Sequence, residues 1–127
     1  MANKNEFTAQ RTVKGTMTYL SSQAAASTFS TGVFIPAGAI ITGIQIVGVS
    51  AQTLTNAAGT VQLKAGTEAI AAAVAISGLP ANGAKASTAV SATVPTVGGE
   101  LNVICQATST STAVGAWDVY VDYIYVN

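Results

Sequence analysis

The sequence predicts an all-β protein, an antiparallel β-sandwich of the jelly-roll kind with an extended N-terminal arm. Residues 33–49 have the pattern of a strand, a tight turn and a long second strand. Short alternating segments separated by Gly, Pro and Asn fill much of the remaining chain, and no segment has the spacing of a long helix. Seven or eight short strands of this kind are typical of a sandwich. The pattern leaves the strand order open.

The composition indicates one domain whose surface is partly covered by other chains. The 127 residues are half hydrophobic and only 8% charged, and the formal net charge is zero. Soluble domains usually carry about a quarter charged residues, so charge repulsion protects this chain little against association. We therefore expect part of the surface to contact other chains. The alternative is a neutral surface of Thr, Ser and Ala on a monomer.

The first eleven residues are predicted to form an arm, and residues 12–127 a single sandwich domain. The arm is polar and contains Lys4, Glu6 and Arg11, with Phe7 as its one aromatic residue. It either reaches across to a partner and anchors there through Phe7, or is simply a frayed terminus.

Two strands around a turn form the hydrophobic centre of the sequence. Pro36 sets φ for the turn, and Gly38 takes the left-handed position of a three-residue hairpin loop. In the strand that follows, we expect Ile40, Ile44 and Ile46 on one face and Ile41, Val47 and Val49 on the other. Both faces are apolar, so this strand should lie inside a sheet. The strands predicted in this half of the chain cover residues 12–20, 28–35, 39–49 and 60–65. In the last of them, Val61 and Leu63 are predicted to face inward.

The segment at residues 68–76 is ambiguous. Its alanines favour a helix capped by Thr67 and ended by Gly78. The two-residue spacing of its larger side chains favours a strand, which we prefer, with a helix of one or two turns as the alternative. Further strands are predicted at residues 86–94, 100–107 and 115–126.

The last strand concentrates the aromatic residues. One face is predicted to carry Trp117, Val119, Val121, Tyr123 and Tyr125, and the other Asp118, Tyr120 and Asp122. Aromatic residues in this pattern are usually core or interface, because about 10 Å must be filled between two sheets. The alternative is a sugar-binding platform made of Trp117 and the three tyrosines.

The residues that catalysis and metal binding usually need are largely missing. The chain has no His and a single Cys, and it has no phosphate-binding or nucleophile-elbow motif. Asp118 and Asp122 would stand roughly 13 Å apart on one strand, whereas glycosidase carboxylates need about 5 to 9.5 Å. We expect no enzyme activity, no cofactor and no metal. Five scattered basic residues make no nucleic-acid footprint, and no segment suits a membrane span.

Three segments carry a family resemblance. Residues 34–43 (FIPAGAIITG), residues 60–66 (TVQLKAG) and the ending at residues 116–124 (AWDVYVDYI) resemble small virion structural proteins of tailed bacteriophages. The resemblance spans residues 29–127. It implies a non-enzymatic decoration or cement protein on the outer head, often trimeric, which binds the major capsid protein. The lone Cys105 is compatible with assembly in the reducing host cytoplasm.

These expectations define a set of candidate interface residues on the virion surface. The alternative function is a tail, fibre or head-vertex component with a lectin-like receptor-binding sandwich. The candidate interface residues are Phe7, Arg11, Trp117, Tyr120, Tyr123 and Tyr125.

Overall fold

The structure is a computed structural model that describes residues 8–19, 27–51, 59–90, 94, 98–106 and 115–126. Within these residues the chain forms nine strands and one 3-10 turn, Ile76–Gly78. The strands are β1 Thr8–Tyr19, β2 Ser27–Ile35, β3 Ile40–Gly48, β4 Thr60–Ala65, β5 Glu68–Ala69, β6 Val74–Ala75, β7 Lys85–Thr88, β8 Gly99–Gln106 and β9 Gly115–Val126.

Strand pairing is antiparallel and nested along the chain. The outermost pair is β1 with β9, followed inward by β2 with β8, β3 with β7, and β4 with β5 and β6. The pairs alternate between two sheets, with strand orders β1-β9-β3-β7 and β2-β8-β4-β5. A long hairpin wrapped in this way is a jelly roll. The predicted all-β sandwich is confirmed.

The core lies between the two sheets and contains the inward-facing residues of both. In β4 and β9 strict alternation decides which side chains enter it, as predicted from the sequence. The largest fully buried side chains are Trp117, Ile35, Ile70, Ile76, Leu101, Val103, Val119 and Val121.

The turn at residues 36–38 connects the two sheets, so the predicted hairpin is wrong. Gly38 has the expected positive φ of 79°, and the amide of Ala39 donates to the carbonyl of Pro36 at 3.3 Å. However, β2 and β3 belong to different sheets. Ile35 and Ala39, on either side of the turn, are both fully buried. The two strands therefore belong to different layers of the sandwich and do not pair with each other.

A bulge in β3 changes which isoleucines share a face. The register against β9 shifts between Ile41 and Gly43, and an extra residue in a strand reverses the alternation beyond it. Ile41 is consequently buried with Ile44 and Ile46, whereas Ile40 is 42% exposed. The prediction that Ile40 shares the face of Ile44 and Ile46 is wrong.

Several boundaries also differ from the predicted ones. The first strand begins at Thr8, so residues 8–11 of the predicted arm are paired with the end of β9; residues 1–7 lie outside the described residues. The ambiguous segment at residues 68–76 contains two two-residue strands, and the 3-10 turn follows them. The preferred prediction of extended structure is therefore confirmed. Of the strand predicted at residues 86–94, the structure shows Lys85–Thr88 as a strand and Val90 in a single bridge to Ala71, while residues 91–93 lie outside the described residues. Strand ends depend on the neighbouring strand, which the local sequence does not contain.

The two sheets approach each other closely at Gly15. A Cβ atom at this position of β1 would lie 2.5 Å from Cβ of Thr31 in β2. Thr31 occupies the β2 bulge, and its hydroxyl donates to the carbonyl of Leu101 at 2.6 Å. Gly15 therefore allows the first strands of the two sheets to pack against each other.

Candidate functional site

The outer face of the four-stranded sheet carries a row of charged and polar side chains that we call the polar ladder. The register places β1 and β9 residues of the same face side by side. The ladder consists of Thr12, Lys14 and Thr16 on β1 and Asp118, Tyr120 and Asp122 on β9.

Each carboxylate of the polar ladder is held by β1. The hydroxyl of Thr12 donates to Oδ1 of Asp122 at 2.6 Å. Asp118 accepts from the hydroxyl of Thr16 at 3.5 Å, and its Oδ2 lies 3.3 Å from Nζ of Lys14. The alternation of residues within β9 does not predict which β1 residues contact the two carboxylates, because these contacts depend on the β1–β9 register. The carboxylates are thus hydrogen-bonded within the fold, which lowers the cost of covering this face with another protein.

Tyr120 occupies the middle of this face. Its Cα partners are Lys14 on β1 and Gln45 on β3. The side chain is half-buried in the sheet surface and points away from the core. Of the aromatic residues predicted in an interface, Tyr120 is the one that the structure places on the open face of this sheet.

Exposed apolar side chains collect at the end of the sandwich that carries the 36–38 turn, which we call the Pro36 end. Ile40 pairs there with Ile124 of β9, and Tyr125 follows at 37% exposure. Phe34, 62% exposed, lies at the same end on the outer face of the other sheet. Covering these side chains with a partner would remove apolar surface from water, which is favourable.

The other candidate interface residues are divided between rim and core. Arg11 is exposed on β1 opposite Tyr123, which lies at the margin of the core. Trp117 is fully buried, and its Nε1 donates to the carbonyl of Pro80 at 2.9 Å. Its place in the interface set is therefore wrong, because it packs between the sheets and cannot reach a partner or a sugar. Phe7 lies outside the described residues.

A groove of about 260 Å³ lies beside β7, at the edge of the four-stranded sheet opposite β1. Its lining is apolar or small and contains no ionisable side chain, so the groove offers no acid, base or metal ligand. The lining includes Ile46, Val74, Leu79, Pro80 and Thr88. Among the described residues no group of acidic, His or Cys side chains could hold a metal ion. Nor does this part of the chain contain a helix long and apolar enough to cross a membrane.

Comparison with known proteins gives structural neighbours only. The sequence matches no protein-family model and no curated protein. One similar structure is a chain of the capsid asymmetric unit of cyanophage Pam1, with a TM-score of 0.67 at 16% identity, covering 98% of this chain and 90% of that one. Another belongs to the acid-stable capsid of Helicobacter pylori bacteriophage KHP30, with a TM-score of 0.57 at 10% identity and 93% of each chain covered.

The chain shares their fold. The similarity extends over nearly the full length of this chain and of both neighbours.

The ion pair of the polar ladder should make a small contribution to stability. In a double-mutant cycle with Lys14→Met and Asp118→Asn, we expect a coupling of about 0.5 kcal/mol, because Lys14 is largely exposed. Urea unfolding of the four proteins at low salt measures it. Repeating the cycle at about 1 M salt should remove most of the coupling. A coupling that is unchanged by salt would contradict this assignment.

Proposed function

We propose that this chain is a non-enzymatic structural protein of a phage virion, a decoration or cement protein that binds the outer capsid and stabilises neighbouring subunits. The observation that carries the proposal is the end-to-end similarity to a chain of a phage capsid asymmetric unit. The agreement over the full length of both chains strengthens the proposal, because the jelly-roll fold alone occurs in proteins of many functions.

The surface of the sandwich suits such a role. Its carboxylates on the polar ladder are already hydrogen-bonded, so covering them leaves few unpaired charges. The Pro36 end adds apolar side chains that gain from burial. Contacts of modest affinity are sufficient on a shell, because each is repeated many times per particle and multivalency multiplies their effect.

We assign the capsid anchor to the arm and the homotrimer contact to the sandwich. The arm is now limited to residues 1–7, since β1 begins at Thr8. β1 begins at the Pro36 end, where Ala9 and Gln10 pair with Tyr125 and Ile124 of β9. Phe7 would supply the apolar anchor and Arg11 a charged contact beside it.

The number of copies per particle tests this function. Quantitative mass spectrometry of purified particles, relative to the major capsid protein, should find on the order of hundreds of copies, as a shell component of a symmetric capsid requires. A few to a few tens of copies would indicate a tail, fibre or vertex position. Absence from particles would rule out a virion role.

Truncation tests the assignment of the arm. A variant lacking residues 1–7 keeps all of β1, so we expect an unchanged free energy of unfolding but at least tenfold weaker binding to capsids (about 1.4 kcal/mol). A variant lacking residues 1–11 is the comparison. It also loses residues 8–11 of β1 and their hydrogen bonds to the end of β9, so its free energy of unfolding should be lower by about 2 kcal/mol. Full decoration by the shorter truncation would refute the arm as anchor.

A further inference from the structure

The four lateral edges of the two sheets differ in length and regularity. β1 forms one of them. Of the strands at the other three edges, β2 is interrupted by a bulge at Thr31 and Gly32, β7 has four residues, and β5 and β6 have two each. Bulges and short strands are the usual means of preventing an edge from pairing with another chain. In contrast, β1 keeps twelve consecutive pairs with β9 and no register shift.

The side of β1 that faces away from β9 therefore offers a long, regular pairing edge. β1 stands first in its sheet, and among the described residues its one paired strand is β9. In an antiparallel strand, alternate residues direct their N–H and C=O groups to opposite sides. About half of the backbone groups of β1 thus point away from β9.

The core is also incompletely covered along this side. Val13 of β1 and Val33 of β2 pack against the core but remain partly exposed. These strands are the neighbouring edges of the two sheets and contact each other through Gly15 and Thr31. A further strand beside β1 would remove apolar surface of Val13 from water.

Charge disfavours a second copy of β1 as the occupant. β1 contains two cations, Arg11 and Lys14, and no acidic residue. Two-fold pairing of β1 with itself would gather four cations at the centre of the new contact. Lys14 has a partner in Asp118, whereas Arg11 has none among the described residues. Arg11 is exposed on the face of β1 that also carries Val13, two residues away.

We propose that the edge of β1 away from β9, to which no described strand pairs, binds an extended segment of the capsid subunit, which adds to the four-stranded sheet as a further strand. The inference rests on the proposed function. Backbone hydrogen bonds supply affinity in this mode of recognition, and alternate side chains supply specificity. The segment that fits has an apolar residue opposite Val13 and, two positions away, a carboxylate opposite Arg11.

Hydrogen exchange of the full chain, free and bound to capsids assembled without it, tests the proposal. In the free chain, about half of the β1 amides should exchange quickly, and binding should slow these amides at least tenfold. The amides of β2 are the internal reference, because its bulged edge should not gain a strand. If the chain binds capsids while the β1 amides exchange as before, the edge proposal fails and the capsid role stands.

Charge reversal gives a second measurement, which supports the edge proposal only together with protection of the β1 amides, because Arg11 is also assigned a contact beside the arm. Arg11→Glu should weaken capsid binding about tenfold, because it opposes the carboxylate of the added strand. Lys85→Glu is the matched control on β7, the opposite edge of the same sheet, and should bind as the unmodified chain does. Equal effects of the two variants would overturn the proposal. So would β1 amides already protected in a free dimer, which would identify a second copy as the occupant. Failure of every protein to bind would refute the proposed function itself.

Discussion

Gly98→Ala should lower the free energy of unfolding by about 3 kcal/mol. A Cβ atom at Gly98 would lie 2.4 Å from the amide nitrogen of Ala37 and 2.8 Å from the carbonyl oxygen of Ile35. Both are backbone atoms of the turn that connects the two sheets, so no side-chain rotation can relieve the contact. The turn itself would have to move. Urea denaturation of the two proteins measures the difference.

Gly78→Ala is the matched control for this substitution. Gly78 ends the 3-10 turn, has no neighbouring atom within 4 Å of an added Cβ, and is not in the left-handed region. Its replacement should change stability by less than about 0.5 kcal/mol. Equal stability of the two alanine variants would contradict the close approach of Gly98 to the backbone of the turn.

Trp117→Ala should cost about 4 kcal/mol of folding stability. The indole is fully buried between the sheets, and its removal leaves both a cavity and the Pro80 carbonyl without its donor. Tyr120→Ala, on the opposite face of the same strand, should cost less than about 1 kcal/mol. Urea denaturation of both variants makes the comparison.

The same pair of variants separates core from interface. If Trp117 belongs to the core, its loss acts through unfolding, whereas loss of Tyr120 leaves the fold intact and acts on partner binding. Added sugars should leave the fluorescence of the buried Trp117 unchanged, since its ring has no open face. A Trp117→Ala protein as stable as the unmodified chain would contradict the packing described above.

The candidate site could be predicted only in part. The alternation of residues 115–126 correctly assigned Asp118, Tyr120 and Asp122 to one face of a strand, and the lack of His and of motif chemistry favoured a structural role. The partners of the two carboxylates were not predictable, because Thr12, Thr16 and Lys14 are more than a hundred residues away in the chain. Only the register of β1 against β9 brings them together.

Sequence alone determined the local properties of this protein. Period-two alternation specified the faces of β4 and β9, because it depends only on strand geometry. Pro36 and Gly38 marked the turn, because Pro restricts φ to a narrow range and Gly allows a positive φ.

Tertiary structure decided everything that requires two distant segments. It set the nested strand order, made the 36–38 turn a crossing between sheets, and placed Trp117 in the core but Tyr125 at the rim of the same strand. It also left β1 as the one long edge without a bulge among the described strands. These features follow from which strands pair and in what register, and pairing energy depends on contacts between residues that the linear pattern does not connect.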